Sequence, residues 1–129
     1  MRIFKTKEFK KETRKTSVSD RALCSAIDRI ESGSVVANLG GGLFKLRMAR
    51  AGQGKSGGFR TYLAFRKGDL AVFLHCHAKN EYENISDGQN DVLKILADTY
   101  FNFADADIER AVQDGELIRV EDEKNVERP

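Results

Sequence analysis

The sequence predicts an α+β fold: a small antiparallel β-sheet, arranged as a meander, with N-terminal helices packed on one face and C-terminal helices after it. Two observations support this. Residues 43–79 hold three segments with the alternating pattern of strands, separated by glycine-containing stretches. The segments before and after them carry apolar residues at helical spacing. We therefore expect a single domain over residues 1–120 and a disordered acidic tail over residues 121–129.

The N-terminal part is expected to supply one strand and two helices. Residues 1–5 have the character of a short first strand. Residues 6–15 are helix-prone but mostly charged, and Phe9 is their only large apolar anchor. A helix of about three turns follows and ends near Gly33, with one apolar face formed by Leu23, Ile27 and Ile30.

Three consecutive strands are expected in the middle of the chain, over residues 43–50, 59–66 and 70–79. Residues 38–42 are expected to form a turn or bulge before them, and residues 66–69 a hairpin turn. Strict alternation in the last strand predicts two sets of side chains on opposite faces. One set is Leu70, Val72, Leu74, Cys76 and Ala78, and the other is Ala71, Phe73, His75, His77 and Lys79.

The C-terminal part is expected to form two helices, over residues 89–100 and 105–113, and an edge strand over residues 116–120. In the first of these helices the apolar positions at helical spacing are Val92, Ile95, Leu96 and Tyr100.

Charge is distributed unevenly along the chain, although its formal net charge is only +2. Residues 1–80 contain 17 Lys and Arg against 6 Asp and Glu, a net +11. Residues 81–129 contain 5 against 14, a net −9. A basic body with an acidic end favours a polyanionic partner for the first part.

Composition also predicts where the protein resides. No apolar run approaches the ~18 residues of a membrane span, and the charged N-terminus lacks the apolar centre of a secretion signal. We therefore expect a cytoplasmic protein with no membrane partner. The two cysteines, Cys24 and Cys76, are expected to be reduced, partly buried thiols.

The segment AGQGKS, within residues 49–56, matches the relaxed pattern of a nucleotide-binding phosphate loop. Such a loop must connect a buried parallel strand to the N-terminus of a helix. Here the preceding segment alternates like a half-buried antiparallel strand, and the following FRTYLAF is itself strand-like. A β-hairpin with a long basic loop is the better interpretation.

Alternation places chemically related side chains on one face of the predicted meander. Arg and Lys there would neutralise a scissile phosphate, His would exchange protons with ribose oxygens, and an aromatic ring would stack on a base. This combination suits a metal-independent ribonuclease. The shared face would carry Lys45, Arg47, Arg60, Tyr62, His75, His77 and Lys79, with Lys55 in the adjoining loop.

Several of these residues also have a structural interpretation. The His75-Cys-His77 motif supplies only two potential zinc ligands, so we expect no metal and no other cofactor. His75 could be half-buried and hydrogen-bonded, Arg60 could pair with a carboxylate, and Tyr62 could belong to the core.

Three motifs, KLR at residues 45–47, GKSGGFRTYLAF at 54–65 and HAKNEYENIS at 77–86, resemble the RelE/HigB family of toxins from bacterial toxin–antitoxin systems. The resemblance covers about residues 1–120. It implies an α/β fold with a concave basic sheet face and a ribosome-dependent endoribonuclease that cleaves messenger RNA. In that reaction the 2′-hydroxyl attacks the adjacent phosphate and leaves a cyclic phosphate and a 5′-hydroxyl. It also implies a cognate antitoxin protein, the ribosome and mRNA as partners.

By position, the resemblance implies that Lys45, Arg47, Arg60 and Lys79 are catalytic. RelE has an Arg after the equivalent of Lys79 and a Tyr several residues on, whereas this chain has Asn80 and Ser86 there. The general base is therefore open, and His75 or His77 is the expected substitute, with His77 assigned to the catalytic set. The expected RNA-binding residues are Arg50, Lys55, Tyr62, His75, Asn80 and Tyr82.

Two alternative functions share this fold. A gyrase poison of the same superfamily would lack the basic catalytic set, which argues against that alternative here. The other is a catalytically inactive module that binds nucleic acid or a partner protein, which fold alone does not exclude.

Overall fold

The computed structural model describes residues 1–14, 18–33, 37–48, 58–78 and 86–121 of the 129-residue chain. They form an α+β fold around one six-stranded sheet, as predicted. The strands are β1 (Arg2–Thr6), β2 (Ala37–Gly40), β3 (Leu43–Met48), β4 (Phe59–Arg66), β5 (Leu70–Ala78) and β6 (Leu117–Arg119). The helices are α1 (Lys7–Glu12), α2 (Asp20–Glu31), α3 (Asp87–Phe101) and α4 (Asp105–Gln113).

The sheet is mixed, with strand order β2-β3-β4-β5-β1-β6. Strands β3 to β5 form the antiparallel meander that the sequence predicts, and β2 pairs antiparallel with β3. Strand β1 adds parallel to β5, and β6 closes the other edge antiparallel to β1. The stretch expected as a turn or bulge is itself strand β2, with a register shift between Asn38 and Gly40. The sheet is therefore wider than the meander and not purely antiparallel.

Helices cover both faces of the sheet. Helices α1 and α2 pack on one face, where Phe9, Leu23 and Ile27 join a core with Leu63 and Phe73. Helices α3 and α4 pack on the opposite face. The core there includes Leu43, Ala64, Val72, Leu93, Ala97, Tyr100, Ile108 and Ala111.

A β-bulge in β5 corrects the predicted alternation of that strand. Tyr62 of β4 pairs with His75, but the next residue, Leu63, pairs with Phe73, so Leu74 is an extra residue. The extra residue reverses the alternation of side chains between the two faces of the sheet, so the residues before Leu74 and those after it follow opposite patterns. Phe73 therefore packs in the core under α1 and α2, whereas His75 lies on the opposite face with Tyr62. The expectation that Ala71 and Phe73 share a face with the histidines is wrong.

Helix α3 buries only part of the face that was expected. Tyr100 is buried and Leu96 packs against the core, as predicted, but Val92 and Ile95 are 56% and 65% exposed. Leu93 and Ala97 are buried in their place. Residues 93, 97 and 100 are four and three positions apart, so they lie on one side of the helix, the side that packs against the sheet. An apolar side chain at helical spacing was thus not sufficient to identify the buried stripe.

Cys24 and Cys76 are both buried thiols and form no disulfide, as expected. Within the parts of the chain that the structure describes, no helix is long and apolar enough to cross a membrane. The predicted acidic tail lies outside the described residues from position 122 onward.

Candidate functional site

Two rows of side chains cross the sheet on the face opposite α1 and α2. In one, called here the Lys45 row, Lys45 pairs with Tyr62, which pairs with His75. In the other, the Arg47 row, Arg47 pairs with Arg60, which pairs with His77. Neighbouring strands lie about 4.8 Å apart, so each row brings three polar side chains side by side. The predicted shared face is present for all six of these residues.

Exposure differs within the rows. Arg47 is exposed, and Lys45, Arg60 and His75 are half-buried. Tyr62 and His77 are buried, with 1% and 5% of their surface exposed. The cations and His75 therefore form the accessible part of the site. The Tyr62 ring has no free face on which a base could stack in this structure.

The buried pair Tyr62 and His77 is linked by hydrogen bonding. The Tyr62 hydroxyl lies 3.4 Å from Nε2 of His77, and Nδ1 of His77 lies 3.1 Å from the carbonyl oxygen of Ala78. A carbonyl oxygen only accepts, so Nδ1 carries the proton and Nε2 accepts from the tyrosine. Both ring nitrogens of His77 are thus engaged within the protein.

His75 has a different environment. Its Nδ1 donates to Oε2 of Glu12 at 2.7 Å, and its Nε2 is buried without a hydrogen-bond partner. The other carboxylate oxygen of Glu12 accepts from the backbone N–H of Cys76 at 3.0 Å. His75 is therefore held at Nδ1 by a carboxylate, while its buried Nε2 has no hydrogen-bond partner.

Strand geometry explains why Glu12 lies there. The last pair between β1 and β5 joins Lys5 to Phe73, and β1 then ends as Thr6 caps helix α1. Strand β5 runs on to Ala78, and the N–H of Cys76 lies beyond that last pair. The Glu12 carboxylate satisfies this donor from the end of α1, which is required because an unsatisfied buried N–H is costly.

Sequence reasoning missed Glu12, although one signal was available. Phe9 anchors α1 by packing against Phe73, with ring centroids 5.5 Å apart. A residue three positions after an anchor projects from the same side of a helix. Glu12 is that residue, so the helix face that buries Phe9 also presents Glu12 to β5.

Two polar atoms of the site are buried and have no partner. They are Nε of Arg60 and Nε2 of His75, and Asn90 Oδ1 in α3 is the third such atom among the described residues. Leaving a buried polar atom unsatisfied costs about 1–3 kcal/mol, so each such atom needs an explanation. Both atoms belong to the two rows, Arg60 to the Arg47 row and His75 to the Lys45 row.

Five of the predicted site residues lie outside the described residues: Arg50, Lys55, Lys79, Asn80 and Tyr82. The residues on either side of the phosphate-loop motif are described, and they show which elements the motif lies between. Strand β3 ends at Met48, β4 begins at Phe59, and these two residues pair across antiparallel strands. The glycine-rich segment thus joins two strands rather than a strand and a helix, as the alternating pattern predicted.

No group of three or more His, Cys, Asp or Glu side chains among the described residues is placed to hold a metal ion. His75 and His77 lie with ring centroids 5.7 Å apart.

The model of a family described as the RelE toxin of the RelE/RelB toxin–antitoxin system matches residues 1–120. No curated protein matches the chain. The family match spans all ten helices and strands of the described structure and both rows of the site.

Proposed function

The chain belongs to the RelE toxin family, and from that premise we propose that it is a ribosome-dependent endoribonuclease that cleaves messenger RNA. As a family member it is the toxin of a toxin–antitoxin system, and it has an antitoxin protein as a partner. The proposal adds the chemical activity, the mRNA substrate and the ribosome, and it assigns the protein to the cytoplasm, where these are found.

One observation carries the proposal: the Lys45 and Arg47 rows present three cations and an imidazole on one surface with two unsatisfied buried polar atoms. Phosphodiester cleavage by a 2′-hydroxyl builds negative charge on the phosphate oxygens, and fixed cations stabilise that charge. The reaction also requires a proton acceptor for the hydroxyl, which an imidazole can supply. The rows offer both without a cofactor.

Arg60 is proposed to bind the scissile phosphate. It sits between Arg47 and His77 in the middle of its row, and its half-buried guanidinium has an unsatisfied Nε. A guanidinium can form paired hydrogen bonds with phosphate oxygens, so a phosphate would satisfy this atom. Lys45 and Arg47 lie on the neighbouring strand β3, and we propose that they add electrostatic stabilisation of the phosphate charge.

The structure changes the proposed roles of the other row members. Tyr62 is buried, so we assign it to holding His77 rather than to stacking on a base. Both nitrogens of His77 have protein partners, so proton transfer is assigned to His75 instead. The catalytic role of Lys79 and the RNA contacts of Arg50, Lys55, Asn80 and Tyr82 remain proposals from sequence.

The test is induction of the wild type and of Arg60→Ala from a tightly controlled promoter, with primer extension on a translated message. We expect new codon-aligned 5′ ends with the wild type and none with Arg60→Ala. Arg21→Ala is the matched control, because Arg21 is an exposed arginine on α2, across the sheet from the rows. It should cleave like the wild type.

The other outcomes identify the alternatives. DNA damage and growth arrest without message cleavage would indicate a gyrase poison. Unimpaired growth with soluble wild-type protein would indicate an inactive binding module. Equal cleavage by Arg60→Ala and the wild type would remove Arg60 from the site.

A further inference from the structure

We propose that Glu12 is the positioning residue that makes His75 the general base of RNA cleavage, an inference that rests on the proposed function. It does so by selecting the tautomer of the imidazole. The residues that support this are Glu12 on α1, His75 and Cys76 on β5, and the contrasting histidine His77.

Two hydrogen bonds hold the Glu12 carboxylate in place. Oε1 accepts from the backbone N–H of Cys76 at 3.0 Å, and Oε2 accepts from Nδ1 of His75 at 2.7 Å. A backbone N–H can only donate, so this bond fixes which oxygen faces the β5 backbone. The remaining oxygen then requires a proton on Nδ1 of His75.

The proton on Nδ1 determines what Nε2 can do. In the neutral ring one nitrogen donates and the other accepts, so Nε2 of His75 carries a lone pair. That nitrogen has no partner in the structure. In His77, by contrast, Nε2 faces the Tyr62 hydroxyl. The two imidazoles of the site therefore differ: Nε2 of His75 is buried without a hydrogen-bond partner, whereas both ring nitrogens of His77 have partners.

Charged groups of both signs lie around His75. Glu12 is the anion in direct contact with the ring, and it stabilises the imidazolium that forms when Nε2 accepts a proton, as the carboxylate does in catalytic triads. Lys45 lies two strands away in the same row, and Arg60 lies diagonally across from His75, next to Tyr62. These cations are placed to stabilise the negative charge that develops on the phosphate.

The chemical step follows from this arrangement. Nε2 of His75 takes the proton of the 2′-hydroxyl, and the oxygen's electron pair forms a bond to phosphorus. The bond between phosphorus and the 5′-oxygen breaks, and the 5′-oxygen leaves with that electron pair and takes a proton from water. The products are a 2′,3′-cyclic phosphate and a 5′-hydroxyl, and His75 returns its proton to solvent.

Substrate binding has to complete the contacts. Nε2 of His75 and Nε of Arg60 are both buried in the free protein, and diagonal neighbours on adjacent strands lie about 7–8 Å apart. A ribose and its 3′-phosphate offer a hydroxyl and an anion from one nucleotide. Catalytic hydrogen bonds often form only in the substrate complex, so RNA docking is the step that supplies both partners.

The test uses Glu12→Gln, which keeps the shape of the side chain but replaces one acceptor oxygen with an NH2 group that donates. Its amide oxygen can still accept from Cys76 N–H, and its amide nitrogen then donates to Nδ1 of His75. Nε2 must therefore carry the proton and cannot act as a base. Two-bond ¹H–¹⁵N spectra of labelled protein should show Nδ1–H for His75 in the wild type and Nε2–H in Glu12→Gln.

Cleavage is measured in parallel at neutral pH on ribosomes programmed with a defined message. We expect Glu12→Gln to cleave at least about 100-fold more slowly than the wild type, the lower range of general-base effects. Glu8→Gln, on the same helix, is the control and should match the wild type.

Three results would overturn the inference. One is an Nε2–H tautomer for His75 in the wild type, and another is an unchanged tautomer in Glu12→Gln. The third is wild-type cleavage by folded Glu12→Gln, which would leave the proposed nuclease function intact. A wild type that cleaves no message in the same assay would instead overturn the proposed function and the role of Glu12 with it.

Discussion

The two ends of one sheet face carry different kinds of side chain on the same strands. At one end, Leu43, Ala64 and Val72 form a row with no exposed surface, in the core shared with α3 and α4. At the other end, the equivalent positions are Arg47, Arg60 and His77. The strands, their register and their spacing are the same. What differs is the cover, because the apolar row lies in the core formed with α3 and α4, whereas the Arg47 row has an exposed Arg47 at its end.

That difference implies that the two ends of the sheet face have different roles. Apolar side chains in a close-packed core contribute through burial and packing. Buried polar atoms without partners cost stability, and in the proposed function they are retained to bind the substrate. Substitutions at the first end should therefore alter folding, and those at the second should alter activity.

The largest expected effect is at the apolar end. Leu43→Ala removes a fully buried side chain and leaves a cavity, which should lower the free energy of unfolding by about 2–5 kcal/mol. Chemical denaturation measures this loss. Ile95→Ala on α3 is the control, because its side chain is 65% exposed and its removal should cost less than about 0.5 kcal/mol. Similar losses in both variants would contradict the assigned core.

Arg60→Ala tests the polar end. Loss of one group that stabilises transition-state charge should slow message cleavage about 10²–10³-fold. The free energy of unfolding should change by less than about 1 kcal/mol, because the substitution also removes a buried, unsatisfied Nε. Denaturation and cleavage assays on the same preparation separate the two effects. A large loss of stability with unchanged cleavage would contradict the roles assigned to the two ends of the sheet face.

Glu12→Ala should affect both properties. It leaves the N–H of Cys76 without its acceptor, which should cost about 1–3 kcal/mol of stability, and it removes the anchor of His75. Glu12→Gln keeps an acceptor for that N–H. The difference between the two variants in the free energy of unfolding, measured by denaturant titration, therefore gives the stability contributed by the bond to Cys76. Equal stability of the two variants would show that the bond to Cys76 contributes nothing measurable.

The smallest effect concerns alkaline pH and Tyr100 on α3. Burial, followed by the charges of Glu116 and Glu8, raises the pKa of Tyr100 from 10.0 to about 12. Because the folded-state pKa is the higher one, the associated stability is fully present below about pH 10 and is lost as pH rises towards 12. Denaturation midpoints from pH 9 to 12 should fall more for the wild type than for Tyr100→Phe. Parallel curves would contradict the shift.

Local patterns predicted most of the fold. Alternation identified β3, β4 and β5, and helical spacing identified α2, α3 and α4, because these periods are properties of a single segment. The shared face of Lys45, Arg47, Arg60, Tyr62 and the two histidines was also predictable from residue parity along antiparallel strands. One error arose where a single residue breaks the period, as Leu74 does in β5.

The sequence by itself therefore determined the elements other than β2, their antiparallel order in the meander, the basic face and the family. The tertiary structure alone decided that β1 lies parallel to β5, that Tyr62 and His77 are buried, and that Glu12 contacts a histidine 63 residues away. The physical reason is the range of the interactions. Hydrogen-bonding period and turn chemistry act between near neighbours, whereas burial and the partner of a buried donor depend on which segments meet when the whole chain packs.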